Sequence, residues 1–207
     1  MTAQAMAFAT PDDAEELARA EMYGVLARLY MAAPDEELLR QFSVAVTEAP
    51  AEGGFLQGPW EALVAAMRAT TVQAAADEYD ALFLGIGKPE VFLYGSYYLA
   101  GFLNEKPLAA LRSDLAALGL TRDESRGETE DHAAYVLEVM RYLIAGDDVA
   151  VCNLEQQRRF FRAHVQPWME AMCDALVAHP RAQLYRVVAE LTRAFVQVEA
   201  QGFDMIE

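Results

Sequence analysis

Apolar residues recur along this chain at intervals of three and four, the spacing that gathers them on one face of an α-helix. Met22, Val25, Leu26, Leu29 and Tyr30 make the first such face, and Pro34 closes it. A short second helix is predicted from Asp35 to about Val46. The stretch EAPAEGGFLQGP then breaks the period with glycine and proline, and it reads as a loop around residues 49–58. Pro59 suits the first position of the next helix, which carries Trp60, Leu63, Val64 and Met67. Another helix is predicted over about Val72 to Leu84. In GIGKPEVFLYGS, Gly85, Gly87 and Pro89 interrupt any helix, so the segment reads as an ordered apolar loop with helix resuming near Ser96.

The second half repeats the helical theme. Pro107 opens a helix with Leu108, Leu111, Leu115 and Leu118 on one side and Gly119 as its stop. From about Thr129 to Ala145 the chain is apolar on most sides, which predicts a central helix ending at Gly146. A further helix runs from Glu155 to His164. Pro167 interrupts it, yet Phe161, Val165, Trp168, Met172 and Leu176 keep one face across the break, as a kink or two abutting helices would. After Pro180, the last helix has Leu184, Val187, Val188, Leu191, Phe195 and Val198 in register. The sum is an all-α bundle of about nine or ten helices, with no strand pattern and no internal repeat, forming a single domain over residues 1–207.

Composition narrows what such a bundle can do. The 207 residues carry 32 acidic and 16 basic side chains, a formal net charge of −16, so a phosphate backbone is repelled and nucleic-acid binding is not expected. No apolar run is long enough to cross a membrane. The N-terminal segment lacks a basic start and turns acidic at once, unlike a secretory signal. Cys152 and Cys173, the only two cysteines, do not make a disulfide framework and are expected as small buried side chains of helices in a reduced, cytoplasmic setting.

Candidate chemistry is sparse. Neither His132 nor His164 has a glutamate three residues before it, as a di-iron bundle would require, so no metal and no cofactor is expected. GIGKP lacks the full phosphate-loop pattern, and no nucleophile elbow is present. Two segments stand out. In ETEDHAAYVLEVM, Asp131 and His132 fall in the first turn of the expected central helix. There His132 shares a face with Val136, Val139 and Leu143, and Asp131 with Tyr135, Glu138 and Tyr142. This reads either as a capped helix start with a core-facing histidine or as an acidic notch beside aromatics, suited to a basic ligand. In VFLYGSYYL, three tyrosines and a phenylalanine crowd a glycine-kinked loop, either as an aromatic core cluster or as a groove for an apolar peptide.

At these segments the chain resembles the cytoplasmic chaperones of the TorD/DmsD/NarJ type, which assist maturation of molybdenum-containing redox enzymes. The resemblance is carried by YDALFLGIGKPEVFLYGSYYLAG at 79–101, GETEDHAAYVLEVM at 127–140 and RRFFRAHVQPWMEAMCDAL at 158–176, and LYRVVAELTRAFVQVE at 184–199 extends it. It implies the all-helical fold particular to that family, as a monomer or a domain-swapped homodimer. It also implies binding to the twin-arginine signal peptide and apo catalytic subunit of a molybdoenzyme, with export held back until the cofactor is loaded. The family's E-P-x-D-H element appears as Glu128-Thr129-Glu130-Asp131-His132, with threonine in place of proline. On this resemblance the peptide-binding residues are Tyr30, Tyr79, Leu82, Phe83, Tyr94, Ser96, Tyr97, Glu128, Asp131 and His132, while His164, Pro167 and Trp168 form a structural motif. The resemblance implies no catalytic residue. The alternatives are a helical adaptor without signal-peptide binding and a nucleotide-hydrolysing enzyme.

Overall fold

A computed structural model describes residues 11–45, 56–85, 87–123 and 127–205. Its regular elements are helical: α1 (Pro11–Met31), α2 (Glu36–Ser43), α3 (Gln57–Ala69), α4 (Val72–Tyr79), α5 (Gly95–Ala100), α6 (Lys106–Ala117), α7 (Ala133–Ala145), α8 (Leu154–Phe160), α9 (Gln166–Val177) and α10 (Leu184–Asp204). A π-helical turn, Asp80–Leu84, continues α4, and a second, Phe161–Val165, joins α8 to α9. Among the described residues, extended pairing is limited to one isolated bridge, between Tyr94 and His132. The glycine- and proline-rich loop expected around 49–58 lies outside the described residues from 46 to 55.

The periodic faces become the core. Helix α1 packs most extensively on α7, and Tyr23, Leu26, Leu29 and Tyr30 of α1 share one buried apolar cluster with Val136, Leu137, Met140 and Leu143 of α7. Helix α10 packs on α9 and α3 and brings Tyr185, Val188, Leu191 and Phe195 into the same apolar cluster. Where the chain must turn, side chains cap the helices: Asp35 accepts from Leu38 N at 2.7 Å to start α2, and Asn153 accepts from Gln156 N at 3.1 Å to start α8. Pro59 is the third residue of α3 rather than its first, because the N–H groups of a whole first turn need no helical partner.

The Pro167 interruption resolves into one continuous path. Five residues of π-turn absorb the missing amide, and Pro167 sits in the first turn of α9, where no donor is required. The turn fixes the His164 and Trp168 pair. The indole Nε1 of Trp168 donates to the His164 carbonyl at 2.7 Å, and His164 Nε2 meets Asp114 Oδ2 of α6 at 2.7 Å. Trp168 is buried and lies against Gly95, where an added Cβ would stand 3.0 Å from its ring. Glycine at 95 is what lets α5 approach that ring.

Cys173 is buried in α9, and burial pushes its thiol up to about 12. Cys152 departs from expectation. It is half-buried in the turn before α8, and its thiol donates to the Tyr142 carbonyl at 3.2 Å.

Candidate functional site

The central helix does not begin at Thr129. Residues 127–132 run up beside 93–96 instead, and α7 starts at Ala133. The reason is a cross-brace: Gly95 N donates to the Asp131 carbonyl at 2.9 Å, and Ala133 N donates to the Leu93 carbonyl at 2.7 Å. His132, expected inside the first turn, is therefore the N-cap, and its Nδ1 accepts from Ala134 N at 3.2 Å. Asp131 caps a different helix. Its Oδ2 accepts from Ser96 N at 2.8 Å, at the start of α5, and its Oδ1 accepts from the Thr129 hydroxyl at 2.6 Å. Thr129 thus gives the turn a donor to the carboxylate.

Both side chains are only 4% exposed. Burial holds the His132 imidazole down at about 4, against the opposing pull of Glu128 and Asp131, so it is neutral near pH 7. Tyr94 and Tyr135 flank it, with ring centroids 5.1 and 5.8 Å away. The half-buried Tyr94 hydroxyl donates to the Glu128 carboxylate, and burial together with that carboxylate raises its pKa well above the usual phenol range. Glu130 is gripped through both oxygens by Arg112 of α6, at 2.9 Å each, and that guanidinium holds its carboxyl below the usual range.

Tyr79, at the end of α4, borders the same region. Burial, with Glu128 and Asp80 adding to it, pushes its hydroxyl up to about 12. That hydroxyl donates to the carbonyls of Tyr30 and Met31 at 3.1 and 3.0 Å, and the Tyr185 hydroxyl donates to the Leu29 carbonyl at 3.0 Å. Three successive carbonyls that end α1 are thus satisfied by phenols. The structure therefore gathers Tyr79, Tyr94, Glu128, Asp131 and His132 at one turn. Tyr30, Leu82 and Ser96 have no accessible surface, and Phe83 packs edge-on against Tyr185. These four support the turn from inside. Tyr97 is half-buried and stacks on Phe92, with centroids 4.1 Å apart.

Beside this turn a cleft of about 830 Å³ opens between α1, α7 and the end of α6. Ala27, Met31, Leu115, Leu120 and Val139 give it an apolar floor, and Tyr135 and Tyr142 add rings. Charged side chains of both signs surround it: Glu21, Asp123, Glu130 and Glu138, with Arg28, Arg122 and Arg141, of which Arg28 is held by Asp35 and Arg141 by Glu138. Tyr135, Glu138 and Tyr142 are the face that helical spacing grouped with Asp131. The contribution of α1 was not legible in the sequence, since Ala27 and Gly24 carry no chemistry to notice. Gly24 matters by its size: an added Cβ would come within 2.9 Å of the Arg141 side chain.

The described residues thus make an all-helical fold with a braced turn beside a partly apolar cleft. Residues 54–174 match the nitrate reductase delta subunit family. The match covers more than half the chain, which belongs to this family, the TorD/NarJ group. The chain is similar to the chaperone protein TorD of Vibrio cholerae serotype O1, at 29% identity over 140 residues, 64% of this chain and 63% of that protein. It is also similar to the chaperone protein TorD of Vibrio parahaemolyticus serotype O3:K6, at 26% identity over 141 residues, 62% of this chain and 63% of that protein. The matched region thus spans 63% of the length of these relatives. Among the described residues, no helix is long and apolar enough to cross a membrane, and no cluster of three or more His, Cys, Asp or Glu could hold a metal.

Proposed function

We propose that this protein is a cytoplasmic, non-catalytic maturation chaperone for a molybdenum-containing oxidoreductase. It binds the client's twin-arginine signal peptide and apo catalytic subunit and holds back export until the cofactor is in place. The observation that carries the reading is the cleft between α1 and α7, apolar in its floor, edged by charged side chains and reaching Glu130 of the turn that holds Glu128. A twin-arginine peptide has the matching order, cationic at its start and apolar afterwards. Its arginines meet Glu128 and, in the cleft, Glu21, and its apolar segment covers Val139 and Tyr142. A neutral His132 adds no repulsion, and the net charge of −16 steers the cation inward.

Burial divides the two acids of the turn into different roles. Asp131 positions, because its oxygens are already spent on Ser96 N and Thr129. Glu128, half-buried, receives the guanidinium. Calorimetric titration with a twin-arginine signal peptide tests this, beside the same peptide with its arginines changed to alanine. The arginine peptide should bind more tightly, with an advantage that shrinks as salt rises. Glu128→Gln should remove about tenfold of affinity while leaving the unfolding midpoint in place. Equal binding of both peptides at every salt concentration would sink the electrostatic assignment.

A further inference from the structure

The acids of the braced turn hold different donors. Asp131 takes the Ser96 backbone N–H and the Thr129 hydroxyl, and Glu128 takes the Tyr94 phenol. Glu130 takes a guanidinium. Nε and Nη2 of Arg112 donate to its two oxygens at 2.9 Å each, the parallel fork that arginine makes with a carboxylate. Glu130 is also the acid through which the turn reaches the cleft: it lines that space, and Glu128 and Asp131 do not. A peptide with its arginine at Glu128 and its apolar segment in the cleft therefore passes Glu130.

The pair is lopsided. The Glu130 side chain is 12% exposed and that of Arg112 49%. The carboxylate is seated in the wall, whereas the guanidinium reaches it from α6 across half-open surface. Two other ion pairs at the cleft are of another kind. Arg141 and Glu138 stand three residues apart on α7, each about half exposed, and Arg28 and Asp35 are seven apart. Arg112 and Glu130 are eighteen apart and join two elements. An ion pair so exposed on its cationic side adds little stability. The turn is held without it, by the backbone bonds from Gly95 N to the Asp131 carbonyl and from Ala133 N to the Leu93 carbonyl.

We propose that Glu130 is an arginine subsite of the cleft and that Arg112 is its resident stand-in, displaced when a client peptide delivers a guanidinium. The inference rests on the signal-peptide reading and names a residue which that reading leaves out. Exchange changes little in energy. Glu130 keeps a bidentate cation and meets no new desolvation, and Arg112, already half in water, is released to solvent at small cost. A lysine is a poor replacement, because an ammonium does not reproduce the planar fork. Arg112 thus sets a threshold that arginine passes more easily than lysine, which gives the subsite its specificity.

Arg112→Gln opens the subsite. A purely structural ion pair predicts weaker or unchanged peptide binding by this variant, whereas a stand-in predicts tighter binding. Calorimetric titration of the full chain reads the difference, with the twin-arginine peptide and its counterparts carrying two lysines or two alanines. Arg112→Gln should bind the arginine peptide about fivefold more tightly than the parent does, with a smaller gain for the lysine peptide and none for the alanine peptide. Adding Glu130→Gln to Arg112→Gln should remove the gain. Arg162→Gln, which takes the same charge from the remote Arg162–Asp204 pair, should keep the parent's affinity. Arg112→Lys keeps the charge and loses the fork; it should give a smaller gain and serves as the second variant should Arg112→Gln fail to fold. Affinity unchanged or lowered in the Arg112 variants, a gain shared equally by the alanine peptide or by Arg162→Gln, or a gain that survives Glu130→Gln would each overturn the proposal. If Glu128→Gln still weakens binding in that event, the signal-peptide reading stands alone. Absence of arginine-peptide binding to the parent and every variant would overturn both.

Discussion

His132 couples the turn to pH. Its folded pKa, held at about 4 by burial, lies below the ordinary imidazole value of about 6.5, so between these values the unfolded chain takes up a proton that the folded one refuses. Stability from this group is complete above about pH 6.5 and is lost as pH falls toward 4, at about 3 kcal/mol in total. His132→Asn keeps an N-cap acceptor without the titration. Urea unfolding between pH 7 and pH 4 should show the parent losing about 3 kcal/mol more than the variant, and parallel profiles would contradict the buried, neutral imidazole. At this scale the sequence singled out Asp131 and His132 but not where they point. Spacing put Asp131 and His132 in the first turn of one helix. The long-range bridge between 93–96 and 131–133 turned Asp131 toward α5 instead, and no local pattern encodes such a bridge.

Helix ends, more than helix bodies, tie the elements together. Glu78 of α4 accepts from the backbone N–H groups of Gln183, Leu184 and Tyr185, at 2.8, 3.1 and 2.8 Å, and so caps α10 from another helix. A carboxylate there meets the positive end of a 21-residue helix as well as three otherwise unpaired donors. Glu78→Gln keeps an acceptor and loses the charge; it should cost about 1–2 kcal/mol, read as a lower urea midpoint at an unchanged slope. The helices themselves were legible, because 3–4 spacing reports a buried stripe directly. Their interlocks were not. Glu78 in sequence is one acid among many, and the half-buried Arg19–Glu199 pair, with Tyr23 donating to Glu199 at 2.9 Å, joins residues 180 positions apart. The π-turn at Asp80–Leu84 also escapes a 3.6-residue reading, since its apolar positions fit an ordinary helix.

Across the whole molecule, α7 divides between the packed core and the open cleft. One face of α7 joins Met140 and Leu143 to the core, while Tyr135, Glu138, Val139 and Tyr142 turn toward the cleft beside α1. Because Val139 is only partly buried and borders about 830 Å³ of open space, a longer side chain fits there without displacing the core. Val139→Lys places a cation where the apolar part of a signal peptide would lie. Unfolding should shift by no more than about 1 kcal/mol. Signal-peptide affinity should fall by about tenfold or more, through lost apolar contact and through repulsion of the arginines. Charge alone would predict that high salt restores most of the affinity, whereas a blocked apolar floor would leave the loss in place. Titration of this variant at low and high salt therefore separates the two contributions. A loss that persists at high salt assigns the cleft to the apolar segment and the Glu128 turn to the arginines. Unchanged affinity at both salt concentrations would place the peptide outside the cleft.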